Sequence, residues 1–167
     1  MNTEFISVYY NELRVLGIIC IILGSLSVLF AIFFLGIIKY SFFKGMALPL
    51  LIIGALEVTF ASKIVFETEN NIRRVNSELL KQPSLIDSLE KVSLNQTTQF
   101  LNSFIIFGCV AFVCFLFIYL YFHKKQQLYW KGLLFGLMVQ LVIILSLSIV
   151  LLNESNDYIY QLNNLII

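Results

Sequence analysis

The chain has 167 residues, of which 59% are hydrophobic and 13% charged, with a formal net charge of +1. Ordinary soluble domains carry roughly 45–50% apolar and about 25% charged residues, and a soluble core of this size cannot hide so large an apolar excess. The composition therefore excludes a soluble globular domain, a disordered chain and a disulfide-stapled secreted module. The near-neutral charge excludes a nucleic-acid binder.

Four apolar stretches account for the excess, at about 15–38, 46–66, 103–122 and 132–152. Each meets the length of about 20 residues that a helix needs to cross hydrocarbon ~30 Å thick. None shows the short alternation of a β-barrel strand. The expected fold is all-α: an integral membrane four-helix bundle forming a single domain over 1–167. The first stretch is too long for the apolar core of a signal peptide and no small-residue cleavage site follows, so it reads as a retained anchor. No lipidation motif is evident: Gly does not follow Met1, and no Cys lies near either end.

Ahead of the first span, Phe5, Val8, Tyr9 and Leu13 give an apolar face that suits a short helix lying on the membrane. Helix association in lipid relies on close packing of small residues. Span 1 offers Gly17, Cys20, Gly24, Ser27 and Ala31 on one stripe, and span 2 offers Gly54, Glu57 and Ala61. Span 3 offers Gly108, Ala111 and Cys114 or Cys109, and span 4 Gly132, Gly136 and Gln140. The same stripes would serve contact with a second copy or another protein, so an oligomer stays open. Phe43-Lys44-Gly45 opens span 2 and Trp130-Lys131-Gly132 opens span 4. Lys and aromatic residues collect at membrane interfaces whatever their ancestry, so this echo reads as coincidence.

Glu57 lies near the middle of span 2, where an ionised carboxylate is costly and usually functional. Its neighbours Gly54 and Ala61 place it toward the bundle interior, as a neutral acid locking helices together or as a proton or cation relay. Gln140 is its candidate hydrogen-bond partner by depth. Lys63 is better placed to pair with Glu67 four residues on.

Between spans 2 and 3, Ile72, Val75, Leu79 and Leu80 repeat at helical spacing, as do Leu85, Leu89, Val92 and Gln96. Pro83-Ser84 separates the runs, with Ser84 as N-cap and Asp87 in the first turn. The segment 67–102 is therefore expected to carry spans 2 and 3 out of the bilayer as an extramembrane helical hairpin, its apolar stripes paired as a short antiparallel coiled coil. Arg73, Arg74, Glu78, Asp87, Glu90 and Lys91 are then the candidate partner-binding residues. The apolar C-terminal stretch, with Tyr158, Tyr160, Leu162, Leu165, Ile166 and Ile167, is expected to fold back onto the hairpin or bind a partner.

An even number of spans puts the termini and hairpin on one side. The two short loops hold Lys39, Lys44, Lys124, Lys125 and Lys131 without an acid, whereas Arg14, Arg73, Arg74, Lys81 and Lys91 are spread among acids on the other side. Dense positive charge next to spans marks the cytoplasm, so the termini and hairpin are expected outside it. Two glycosylation sequons, Asn95-Gln96-Thr97 and Asn153-Glu154-Ser155, fall on that side and are unsurprising by chance in an Asn-rich chain.

Enzyme chemistry is missing from the sequence. His123 stands alone beside Lys124 and Lys125, and Cys109 and Cys114 are five apart within one span, a poor spacing for a disulfide or zinc. No nucleophile elbow, phosphate loop or dinucleotide fingerprint is found. No enzyme activity, cofactor or metal site is expected. The layout, with Lys44-Gly45 and Pro49 at the start of span 2, resembles small four-span bacterial membrane proteins, some of which are immunity proteins against envelope-targeting toxins. That resemblance implies the bacterial inner membrane and a toxin as partner. The leading expectation is a non-catalytic protein, surrounded by membrane lipid, that binds a protein partner through the hairpin and tails. The alternative is a small transporter or channel component using Glu57.

Overall fold

A computed structural model of the protein describes residues 4–78, 83–124 and 126–164, with side chains outside 4–6, 69, 74–78, 83–91, 93, 162 and 164. It contains four long helices: α1 (Glu4–Gly36), α2 (Ser41–Glu78), α3 (Pro83–Lys124) and α4 (Leu128–Asn164). Each is long and apolar enough to cross a membrane, the apolar windows falling in Ser7–Gly36, Ser41–Arg73, Leu94–Lys124 and Leu128–Gln161. No strand occurs among the described residues.

Every apolar stretch runs on into its polar flank without a break. The N-terminal segment is not a separate surface helix but the first turns of α1, because Tyr9 and Tyr10 are buried inside the fold. The C-terminal segment continues α4 as far as Asn164, with Tyr158 buried beside Leu94 and Ile72 of the 67–102 segment and Tyr160 exposed; Leu165, Ile166 and Ile167 lie outside the described residues. No Pro or Gly interrupts either junction. Pro49 lies inside α2, where it removes the hydrogen bond to the Gly45 carbonyl, a loss that neighbouring helices make tolerable in membrane spans. Pro83 opens α3, where its missing N–H has no helical partner to lose. Ser84, expected as the N-cap, therefore lies within the first turn. The link from α3 to α4 turns at Gln126, whose φ is 55° and whose N–H donates to the His123 carbonyl at 3.4 Å.

The helices pack in an unequal arrangement. α1 lies along α2, α2 along α4, and α4 along α3, while α1 also reaches α4. Among the described residues α2 and α3 scarcely meet. The expected compact four-helix bundle is thus a three-helix core, α1–α2–α4, with α3 on the far side of α4.

Small residues set these contacts. A methyl group placed on Gly24 would come within 2.8 Å of the Gly54 carbonyl oxygen, and one on Gly54 within 2.8 Å of the Gly24 carbonyl oxygen. Farther along the same pair, Ala31 is buried with Ala47 and Leu50, and Gly17 accommodates Val65. Between α2 and α4 the two aromatic-Lys-Gly clusters meet reciprocally. A Cβ at Gly45 would fall on the Tyr129 carbonyl oxygen, and one at Gly132 on the Phe42 carbonyl oxygen. Gly136 then receives the ring of Pro49. In span 3 only Gly108 behaves as expected, buried against Leu145; Cys109 and Cys114 are exposed. A helix with one packed neighbour has use for only one narrow small-residue seam.

Leu, Ile and Phe cover the outside, as lipid-facing helices require. Hydroxyls there are satisfied locally, as Thr59 donates to the Ala55 carbonyl at 2.9 Å and Ser62 to the Val58 carbonyl at 2.7 Å. At the short-loop end, stacked Phe122 and Trp130 (5.8 Å) and the Phe42–Phe135 pair (6.0 Å) form an aromatic belt beside the lysines.

Candidate functional site

The opposite end of the molecule, where the termini lie, has a core of its own. Tyr9 of α1 stacks on Tyr158 of α4 with ring centres 4.2 Å apart and planes within 2°, and Tyr10 meets Tyr9 edge-on at 5.5 Å. Leu94 of α3 completes the buried cluster, with Leu13, Ile72 and Ile159 packed around it. All four helices therefore contribute to one layer. The Tyr9 hydroxyl and the fully buried Ser155 hydroxyl form a hydrogen bond of 3.3 Å across the α1–α4 contact, which leaves neither polar group stranded.

Beside this layer two acids meet. Glu154 lies beyond the apolar stretch of α4, which ends at 152. Its carboxyl is held above the ordinary value of 4.5, first by a side-chain hydrogen bond with Glu12, then by burial and by the charges of Glu12 and Asp157. Two carboxyl groups hydrogen-bond only while one keeps its proton, which favours the protonated form of Glu154. Sequence reasoning missed both this pair and the tyrosine layer. The available signal is the density of Tyr in the two flanks, Tyr9 and Tyr10 ahead of span 1 and Tyr158 and Tyr160 after span 4.

Of the hairpin residues, Arg73 is exposed on α2. Arg74, Glu78, Asp87, Glu90 and Lys91 have side chains outside the described residues, as do Val75, Leu79, Leu85 and Leu89 of the expected stripes. The stripe of α3 that is described differs from expectation. Val92 is 57% exposed and Gln96 is exposed, whereas Leu94, Thr98 and Leu101 are buried. The reason is continuity: 94, 98, 101 and 108 lie on one helical face, the face that meets α4 at Gly108.

Within the apolar layer, Glu57 is 7% exposed and Gln140 0%, as their stripes predict. They do not hydrogen-bond to each other: both carboxyl oxygens and both amide atoms lack a partner. Gly136 opposite Pro49 places Gln140 level with residue 53, one turn short of Glu57, which accounts for the missed bond. Lys63 and Glu67 do pair, at 3.6 Å on the exposed side of α2.

Among the described residues no group of three His, Cys, Asp or Glu is placed to hold a metal ion. Comparison with protein-family models, with curated proteins and with solved structures found no match to this chain.

Proposed function

We propose that the chain is a non-catalytic multi-pass membrane protein that binds a protein partner at the end built from the helix extensions and the termini. Its place is the bacterial inner membrane, with that end outside the cytoplasm. The tyrosine layer carries this reading. Antiparallel spans need only a few residues to join them, yet all four helices extend and share a buried aromatic core beyond their apolar stretches. A rigid end of this kind suits recognition. α2 continues from 67 to Glu78, about 18 Å at 1.5 Å per residue, and it carries Arg73 and Arg74 toward the hairpin tip. Arg is enriched in protein interfaces and pairs bidentately with carboxylates. Glu78, Asp87, Glu90 and Lys91 complete the proposed surface.

Immunity against an envelope-targeting toxin is the form of binding that the four-span layout favours. An envelope-targeting toxin, sought among the genes that adjoin this one, is the partner for the test. Residues 73–91 are replaced by a Gly/Ser linker of adequate span, and insertion, thermal stability and protection of toxin-challenged cells are measured. The proposal expects a protein that inserts and folds but no longer protects. Full protection by the shortened protein overturns it. A second reading, a small transporter or channel component working through Glu57, is favoured by the enclosed carboxyl itself.

A further inference from the structure

Several hydroxyls along the helices are satisfied by their own backbone, as Thr68 is by the Ile64 carbonyl at 2.7 Å and Ser146 by the Val142 carbonyl at 2.8 Å. Glu57 and Gln140 are not, although both are more than nine-tenths buried. Buried polar groups in native proteins nearly always have a partner, and those that lack one call for an explanation.

The two side chains face one seam. On α2, Glu57 lies between the face that meets α4 at Phe42, Gly45 and Pro49 and the face that meets α1 at Gly54 and Ala61. On α4, Gln140 continues the Gly132–Gly136 stripe that meets α2. From α1, a Cβ on Gly24 would lie 3.0 Å from the Glu57 Cβ, and buried Ser27 stands against Gly54. Cys20 lies one turn before Gly24 on the same face of α1.

We propose that this seam binds one monovalent metal cation of the sodium class, through the Glu57 carboxylate, the Gln140 amide oxygen and the Ser27 hydroxyl. Charge selects the ion. One carboxylate among neutral oxygen donors balances one positive charge, whereas divalent sites recruit several carboxylates. Hard oxygen donors exclude the softer transition metals. A carboxylate enclosed by apolar helices needs a counter-charge, and the ion supplies it while engaging Gln140 as well. Two oxygens that share an ion need not hydrogen-bond to each other, in keeping with the separation of Glu57 from Gln140. A proton competes for the same carboxylate. Among the described residues, the titratable group on the seam face of α1 is the Cys20 thiol, and α4 presents the neutral Gln140.

The test is thermal unfolding of the full chain in detergent micelles at pH 8, in sodium chloride against choline chloride of equal ionic strength. A ligand that binds only the folded state stabilises it by mass action. The site predicts a Tm that rises saturably with sodium and not with choline, and a smaller rise at pH 5, where protons compete. Glu57→Gln abolishes the sodium response, and Ser27→Ala raises the half-saturating sodium concentration about tenfold, the equivalent of ~1.4 kcal/mol. Equal Tm in the two salts overturns the site, whether or not Tm responds to pH, since a pH response alone means that a proton occupies Glu57. A sodium response that survives in Glu57→Gln also overturns it. If Glu57→Gln does not fold, the wild-type salt comparison and Ser27→Ala decide the matter.

Discussion

At Gly132 a methyl group would have to displace the carbonyl oxygen of Phe42, and backbone cannot swing aside as a flexible side chain can. Gly132→Ala is therefore predicted to destabilise the fold by about 1–3 kcal/mol through overpacking, read as a lowered Tm in detergent. Gly36→Ala is the control: nothing lies within 4 Å of its Cβ position, and its Tm should match the wild type or slightly exceed it. Glu154 makes a second residue-level case. Because its pKa is raised above the ordinary 4.5, the folded state binds its proton more tightly than the unfolded chain does. The stability from the shared proton is therefore complete below about pH 4.5 and is lost as pH rises through the folded value. Glu154→Gln, whose amide donates to Glu12 without a titrating proton, should flatten this decline in a Tm–pH series and raise stability at neutral pH. An unchanged pH profile would contradict the Glu12–Glu154 pairing.

Among the elements, α3 teaches most about register. Its apolar residues beyond the span allow two stripes, one through Val92 and Gln96 and one through Leu94, Thr98 and Leu101. Local periodicity does not choose between them; the α4 contact at Gly108 does. Leu94→Ala should thus cost about 2–5 kcal/mol, as for a buried Leu truncated in a core. Val92→Ala should fall within about 0.5 kcal/mol of wild type, as at other exposed positions. Equal effects at the two sites would refute the register. The α3–α4 link offers a stabilising change. Gln126 holds a left-handed φ of 55°, a conformation that favours Gly, so Gln126→Gly should raise the Tm slightly.

For the whole molecule, helix number and helix type were legible because hydrophobic length is a one-dimensional signal, whereas the run of α1 and α4 into their polar flanks was not. The small-residue stripes of α1, α2 and α4 were legible for a related reason, since Gly17, Gly24, Gly54, Gly132 and Gly136 advertise close approach. Which helix meets which was not legible. The same stripe on span 3 predicted an equal member of a bundle, yet among the described residues α3 packs mainly on α4 and meets the other helices only in the tyrosine layer, because partner choice depends on complementary shape across two distant segments. The Glu57 seam was half legible: its burial followed from Gly54 and Ala61, but the one-turn offset from Gln140 follows only from how Gly136 seats on Pro49. The termini-side layer was hidden for a similar reason, since Tyr9 and Tyr158 are nearly the whole chain apart. On the proposed topology the chain crosses the membrane four times, with the tyrosine layer, both termini and the hairpin together outside the cytoplasm. The most direct measurement is labelling of intact cells with a membrane-impermeant thiol reagent, using Asn95→Cys and Gln126→Cys, both at exposed positions. The proposed topology predicts labelling at position 95 in intact cells and at position 126 only after permeabilisation. Labelling at 126 with protection at 95 would contradict the orientation, and labelling of both in intact cells would contradict the four-span topology itself.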